Sequence, residues 1–236
     1  LQAKSAYSKN EGIHGNSSGL LRRNIHRLEK GLIMRPRRDV FALDYLLETI
    51  LVYKKITNSP GFSLSETEWA SSVIDEYFSV VDCSHPSISY AREIYSQINQ
   101  AETVSNSKKI PYLQANKVKH NISYGQIMNL CLARRSTRWF KVKEVEDEKI
   151  HQATLAALQA PSACNRQPYE FYIVQSQPLL SQLVKLPGGT AGFADNIPCL
   201  IAVVGDLSYY PQARDRHVIY IDGSLASMQF MLALET

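Results

Sequence analysis

The chain has 236 residues, 44% of them hydrophobic and 20% charged, with a formal net charge of +4 from 26 basic and 22 acidic side chains. That size and apolar content suit a soluble protein built as one large globular domain, or as a domain with a substantial extension. The basic excess is too small to argue for nucleic acid without clustering, no run approaches the roughly 20 apolar residues of a membrane span, and the first residues lack the apolar core of a secretory signal.

Residues 8–19 are rich in Ser, Asn and Gly, and residues 1–20 are expected to be mobile. The start at Leu1 rather than Met suggests a trimmed or partial chain. Order is expected from His26-Arg27-Leu28-Glu29-Lys30-Gly31-Leu32, and the nearby arginines Arg22, Arg23, Arg27, Arg35, Arg37 and Arg38 read as a solvated surface. Asp39 can cap a helix whose apolar stripe is Phe41, Leu43, Leu46, Leu47, Ile50 and Leu51, ending before the turn cluster Asn58-Ser59-Pro60-Gly61. Ser65 and Glu68 have capping-box spacing ahead of a helix with Trp69, Val73, Ile74, Tyr77 and Phe78 on its buried face. A third helix is expected over Ile88 to Ile98, and Ser105-Asn106-Ser107-Lys108-Lys109 reads as a loop. Residues 1–120 thus form a mostly helical extension without a catalytic constellation.

Residues 121–236 are patterned differently. A helix from Tyr124 has Ile127, Leu130, Cys131 and Met128 on one face and runs into Arg134-Arg135-Ser136-Thr137-Arg138-Trp139-Phe140. Asp147 can cap the next helix, in which Ile150, Thr154, Leu155 and Leu158 pack while Ala153, Ala156 and Ala157 permit close approach. Strands are expected at Phe171 to Gln175 and at Leu200 to Gly205, the second a continuous apolar run of the kind buried on both faces, with a helix over Ser176 to Lys185 between them. Asp206 and Asp222 read as helix caps. The last helical pattern, Ser224 to Leu234, has no stop signal after it, so a carboxyl-terminal portion is expected to be missing.

Two segments carry chemistry. A phosphate needs fixed positive charge and donors, and Arg134, Arg135, Ser136 and Arg138 offer guanidinium forks and a hydroxyl at a helix end. The alternative use of these arginines is to face solvent or to neutralise the helix's carboxyl end. Ala160-Pro161-Ser162-Ala163-Cys164-Asn165-Arg166-Gln167-Pro168 combines two stiffening prolines with Ser162, Asn165 and Gln167, whose side chains can read a polar ring edge or can bond their own turn. The cysteines Cys83, Cys131, Cys164 and Cys199 are scattered, with no Cys-x-x-Cys pair and no histidines at zinc-ligand spacing, which fits a reduced, cytoplasmic protein.

Taken together, Arg-Arg-Ser-x-Arg-x-Phe, a helix, Ala-Pro-Ser-Ala-x-Asn-x-Gln-Pro and a strand resemble the flavin-binding half of the nitroreductase family. Asp195-Asn196-Ile197-Pro198 and Asp222-Gly223-Ser224-Leu225-Ala226 resemble later elements of it, so the resemblance spans roughly residues 124–236. It implies an α+β fold with a central mixed sheet flanked by helices, preceded here by the helical extension. It also implies FMN as cofactor, NADH or NADPH as reductant, and a homodimer that builds the site between two subunits, with the helix from Ser224 as a candidate interface element. Arg134, Arg135, Ser136 and Arg138 would hold the phosphate and ribityl chain. Pro161, Ser162, Ala163, Asn165 and Gln167 would lie along the isoalloxazine ring, and no side-chain acid, base or nucleophile is required. The extension, with its His-Arg-Leu-Glu-Lys-Gly-Leu motif, resembles one on nitroreductase-like proteins associated with bacterial surface-polysaccharide synthesis. The implied activity is electron transfer from NAD(P)H to a small organic acceptor by a ping-pong scheme. Reductive dehalogenation or flavin fragmentation on the same fold, and a non-catalytic scaffold role in polysaccharide assembly, are the alternatives.

Overall fold

The computed structural model describes residues 18–60, 62–98, 109–112, 120–210 and 212–236. The leading segment through residue 17, Gly61 of the turn cluster, and Ser105 to Lys108 of the expected loop lie outside the described residues. In chain order come α1 (Gly19–Leu32), α2 (Leu46–Thr57), α3 (Leu64–Val80), α4 (Pro86–Ser96), α5 (Tyr124–Ala133), α6 (Asp147–Ala157), β1 (Tyr169–Val174), α7 (Leu179–Leu183), β2 (Leu200–Gly205) and α8 (Val218–Leu234). Helices mixed with a small sheet make this an α+β fold, as expected. The chain divides into two compact units: residues 1–117 with Cys164–Arg166 and Leu207–Asp215, and residues 118–163, 167–206 and 216–236.

The first unit is a helical cluster. Leu21, Ile25 and Leu28 recur at three- and four-residue spacing, giving α1 one apolar stripe. They join a core with Leu46, Ile50 and Tyr53 of α2, Val73, Ile74 and Tyr77 of α3, and Ile88 and Ala91 of α4. Gly31 is required by packing, because a Cβ there would run into the Phe41 ring.

Local expectations fail here in instructive ways. Asp39 does not cap a helix; α2 begins at Leu46, after a turn in which Ala42 takes φ 66°. Leu43, Leu47 and Leu51 fall on the neighbouring four-residue row and stay exposed, while Leu46, Thr49, Ile50, Val52, Tyr53 and Ile56 point inward. Ser65 and Glu68 do not form a capping box, since the cap position of α3 is Ser63 and no side chain bonds there. Both are instead taken by Lys109, whose ammonium donates to Ser65 Oγ at 3.0 Å and to Glu68 Oε2 at 2.7 Å. The basic cluster is not simply solvated either: the Arg27 guanidinium lies 3.5 Å over the Tyr45 ring and pairs with Asp44. Glu29 accepts from Trp69 Nε1 at 2.8 Å and lies 3.5 Å from His26 Nδ1, so that carboxylate of the His26-to-Leu32 motif has an internal use.

In the second unit β1 and β2 pair antiparallel, with Phe171 opposite Val203 and Ile173 opposite Ile201. These two strands are the part of the expected central sheet found among the described residues. One face meets α6 and α8, where Phe171 stacks on Phe230 at 5.2 Å and 16°. Against expectation β2 is not covered on both faces: Val203 and Val204 remain exposed, because packing in this unit covers only part of so small a sheet. Within α6 the expectation holds for Ile150 and for the alanines that admit a close neighbour, but not for the two leucines. Ile150, Ala153 and Ala157 are buried, whereas Leu155 and Leu158 are exposed, because α8 approaches along the small side chains.

Tyr77 gives a stability test. Its hydroxyl donates to the Phe41 carbonyl at 2.8 Å, and burial pushes its phenol well above the ordinary value. Since the folded value is raised, this contribution is complete below the ordinary phenol pKa and is lost as pH rises through the folded one. Tyr77→Phe should cost about 1 kcal/mol in urea unfolding at neutral pH and flatten the fall of the melting temperature at alkaline pH.

Candidate functional site

The arginine segment begins where α5 stops. α5 opens with a capping box, in which Ser123 Oγ accepts from the Gln126 N–H at 3.3 Å and Gln126 Oε1 accepts from the Ser123 N–H at 2.7 Å. Its expected apolar face is not covered, for no residue of α5 is buried. Arg134 leaves the helix with ψ 122°. The Arg135 guanidinium donates to the Arg134 carbonyl at 2.9 Å, a contact to the carboxyl end of the helix, and Arg138 donates to the Ser136 carbonyl at 3.2 Å. Arg135, Ser136 and Arg138 are exposed and Arg134 is half-buried. Among the described residues none of these guanidinium groups is in an ion pair.

Asn196 fixes this segment. Its Nδ2 donates to the Arg138 carbonyl at 2.7 Å and its Oδ1 accepts from the Phe140 N–H at 3.2 Å. One amide thereby satisfies the backbone on both sides of Trp139, as a neighbouring strand would. Sequence reasoning noted Asn196 only as part of a later family element, because a contact across 58 positions leaves no local signal.

The turn after α6 is shared between the units. In the second unit the Ala163 N–H donates to both Asp222 carboxylate oxygens at 3.2 and 3.1 Å. Asp222 is only 3% exposed and lies inside α8, so the expected helix cap is instead a buried acceptor for the turn. Ser162 Oγ accepts from the Gln167 N–H at 3.1 Å, and Gln167 Nε2 donates to the Leu158 carbonyl at 2.7 Å, closing the end of α6. Ser162 and Gln167 therefore hold the turn's own backbone in this structure. Beside them, burial and then the negative charge of Asp222 push the Tyr169 phenol upward.

In the first unit, Cys164–Arg166 is a separate piece of the same turn. Cys164 and Asn165 have φ 55° and 50°, and Gln167 follows at 47°, all in the left-handed region. Asn tolerates it through its short polar side chain, whereas Cys and Gln are held there at a cost of about 1–3 kcal/mol each by their surroundings. The Asn165 side chain is exposed, and its carbonyl accepts from Arg22. Arg166 was overlooked by motif reading and is only 3% exposed, with its guanidinium 4.8 Å over the Tyr210 ring. A lone cation in an otherwise uncharged turn was the available signal.

Within the second unit, no hydrogen bond or ion pair among the described residues joins Arg134–Arg138 to Pro161, Ser162, Ala163 or Gln167. They are a cationic segment and a polar turn, each held by its own contacts. All four cysteines are free thiols; burial and then Asp147 push the Cys199 thiol upward. No group of three His, Cys, Asp or Glu side chains among the described residues could hold a metal ion.

Removing the buried carboxylate tests the turn. Asp222→Ala should lose about 1–3 kcal/mol of stability in denaturant titrations, because the Ala163 N–H is left without its acceptor. Asp222→Asn keeps one oxygen and should lose less.

Comparison with known proteins finds similarity over part of the chain. The model of the Nitroreductase family matches residues 132–189, a span that contains both segments. A protein of Archaeoglobus fulgidus whose name pairs NADH dehydrogenase with NAD(P)H nitroreductase is 33% identical over 89 residues, 36% of this chain and 50% of its own length. The chain thus spans half the length of that curated relative. Among solved structures, a similarly named protein of Parabacteroides distasonis is 33% identical, covering 47% of this chain and 62% of its own, at a TM-score of 0.41. A nitroreductase with bound FMN from Desulfitobacterium hafniense is 22% identical, covering 46% of this chain and 63% of its own, at a TM-score of 0.35.

Proposed function

We propose that this chain, whose residues 132–189 are nitroreductase-family sequence, is an FMN-dependent oxidoreductase that passes electrons from NADH or NADPH to a small organic acceptor in a ping-pong scheme. The observation that carries this reading is a set of three guanidinium groups at the end of α5 with no carboxylate partner among the described residues, on a backbone pinned by Asn196. Such a set fits a phosphate, which guanidinium forks bind through charge-assisted hydrogen bonds.

Arg134, Arg135, Ser136 and Arg138 would hold the phosphate and ribityl chain. Pro161, Ser162, Ala163 and Gln167 would line the ring on a turn already held by Asp222. Ser162 fits that use because its oxygen accepts within the turn while its hydroxyl hydrogen is still available to donate. Asn165, carried by the first unit, is assigned to the ring on the motif. When bound, FMN supplies the hydride and electron chemistry, and the protein positions the ring and tunes it.

A homodimer accounts for the apolar side chains left exposed on α8 and α5, including Tyr220, Ile221, Leu225 and Met228 on the first and Tyr124, Ile127 and Leu132 on the second. The four free thiols suit a reducing, cytoplasmic setting. No helix among the described residues is long and apolar enough to cross a membrane. Residues 1–120 are read as an extension serving surface-polysaccharide synthesis and residues 121–236 as the flavin-binding domain.

The deciding experiment is the visible spectrum of the FMN-reconstituted protein before and after anaerobic NADH or NADPH. Retained flavin that bleaches supports the reading; a protein that retains no flavin removes it in favour of a binding or scaffold role. Arg134→Ala with Arg138→Ala should weaken FMN binding by about 1.5–3 kcal/mol for each charge-assisted hydrogen bond removed, measured by fluorescence quenching. Asn165→Ala should shift the flavin's reduction potential more than its affinity, read by potentiometric titration.

A further inference from the structure

We infer that Arg22, in the helical extension, is a positioning residue for the turn that carries Asn165. One planar guanidinium makes two directed contacts: Nη1 donates to the Asn165 carbonyl at 2.9 Å, and Nη2 donates to Glu66 Oε2 at 2.9 Å. Arg22 is 18% exposed and Glu66 7%, so this ion pair is largely withdrawn from water, and its geometry is set from both ends. Glu66 sits in the first turn of α3, where the helix dipole favours a carboxylate. The fork therefore transmits the position of two packed helices to one peptide group.

The surrounding contacts act in the same direction. α1 also lies against Leu207–Tyr209, so closely that a Cβ on Gly19 would collide with the Tyr209 backbone. The next residue, Tyr210, is fully buried and carries the Arg166 guanidinium on its ring. The carbonyl of Asn165 and the side chain of Arg166 are consequently held on both sides of one peptide link. A left-handed cysteine persists only where its surroundings over-determine it, and the fork on the carbonyl of the next residue supplies that restraint for Cys164. The exposed Asn165 side chain is aimed by the backbone from which it projects. The contribution of the extension within the first unit is thus to fix the direction of the Asn165 amide. This deepens the flavoenzyme reading and rests on it for its functional consequence.

Lysine can neutralise Glu66 but cannot reach two acceptors with a rigid fork. In flavin-free protein, iodoacetamide labelling mapped by mass spectrometry should therefore show Cys164 reacting at least about tenfold faster in Arg22→Lys than in wild type, the factor for a loss of about 1.4 kcal/mol. Cys83, packed in the core of the same unit, should keep its rate, which verifies the fold. The double variant Arg22→Gln with Glu66→Gln, which leaves no unpaired buried charge, should do the same. Unchanged Cys164 labelling in both variants overturns the inference, whether or not flavin binds. In the FMN-loaded protein, Arg22→Lys and Asn165→Ala should each shift the reduction potential, and the combined variant should shift it no further than Asn165→Ala alone. Fully additive shifts would mean that Arg22 does not act through Asn165. A wild-type protein that retains no flavin would end the flavoenzyme reading, while the thiol measurement would still decide the restraint.

Discussion

A buried carboxylate sets the geometry of the candidate turn within the second unit. Ile219, Asp222, Ala226 and Phe230 lie along one stripe of α8, so Asp222 is a charge set into an otherwise apolar row. Burying such a group is unfavourable unless it is bonded, and the Ala163 N–H supplies a donor to both of its oxygens. Phe230 stacked on Phe171, and Ala226 packed with the alanines of α6, determine where that carboxylate stands. The turn thus inherits its position from the packing of α8 on α6 and β1.

The arginines divide by environment into two kinds. Arg22 and Arg166 are enclosed, one on Glu66 and one on an aromatic ring, and hold structure. Arg135 and Arg138 are exposed and, among the described residues, donate to backbone carbonyls of their own segment. A guanidinium whose charge is not matched locally remains able to meet an incoming anion, whereas Arg22 and Arg166 are already engaged.

What could be read from the sequence followed the range of the interaction. β2 was legible as an apolar run, β1 to within two residues, and α3 and α8 as helical patterns, since those signals are periodic and local, whereas order was expected only from His26 and α1 already begins at Gly19. In α6 the alanines that admit α8 were read correctly, whereas Leu155 and Leu158 were expected to pack on hydrophobicity alone and are exposed. Asp222, Ser65 and Glu68 were assigned to caps by spacing, but their partners lie 59, 44 and 41 positions away. Of the candidate site, the two segments were visible as motifs. Asn196 and Asp222 stood only inside later family-like elements and Arg22 in a basic cluster, and their supporting roles were not legible, because each acts through the backbone of a distant segment.

α5 differs from every other helix of more than five residues in having no buried residue. Ten residues are fewer than an isolated helix usually needs to persist in water, and a capping box contributes only a modest share of what is missing. The order of this helix, and of the arginines that follow it, is then tied to whatever covers Tyr124, Ile127 and Leu132. If a second copy does so, the helical order of this segment becomes a function of protein concentration, and dilution alone would release the arginines from their fixed spacing.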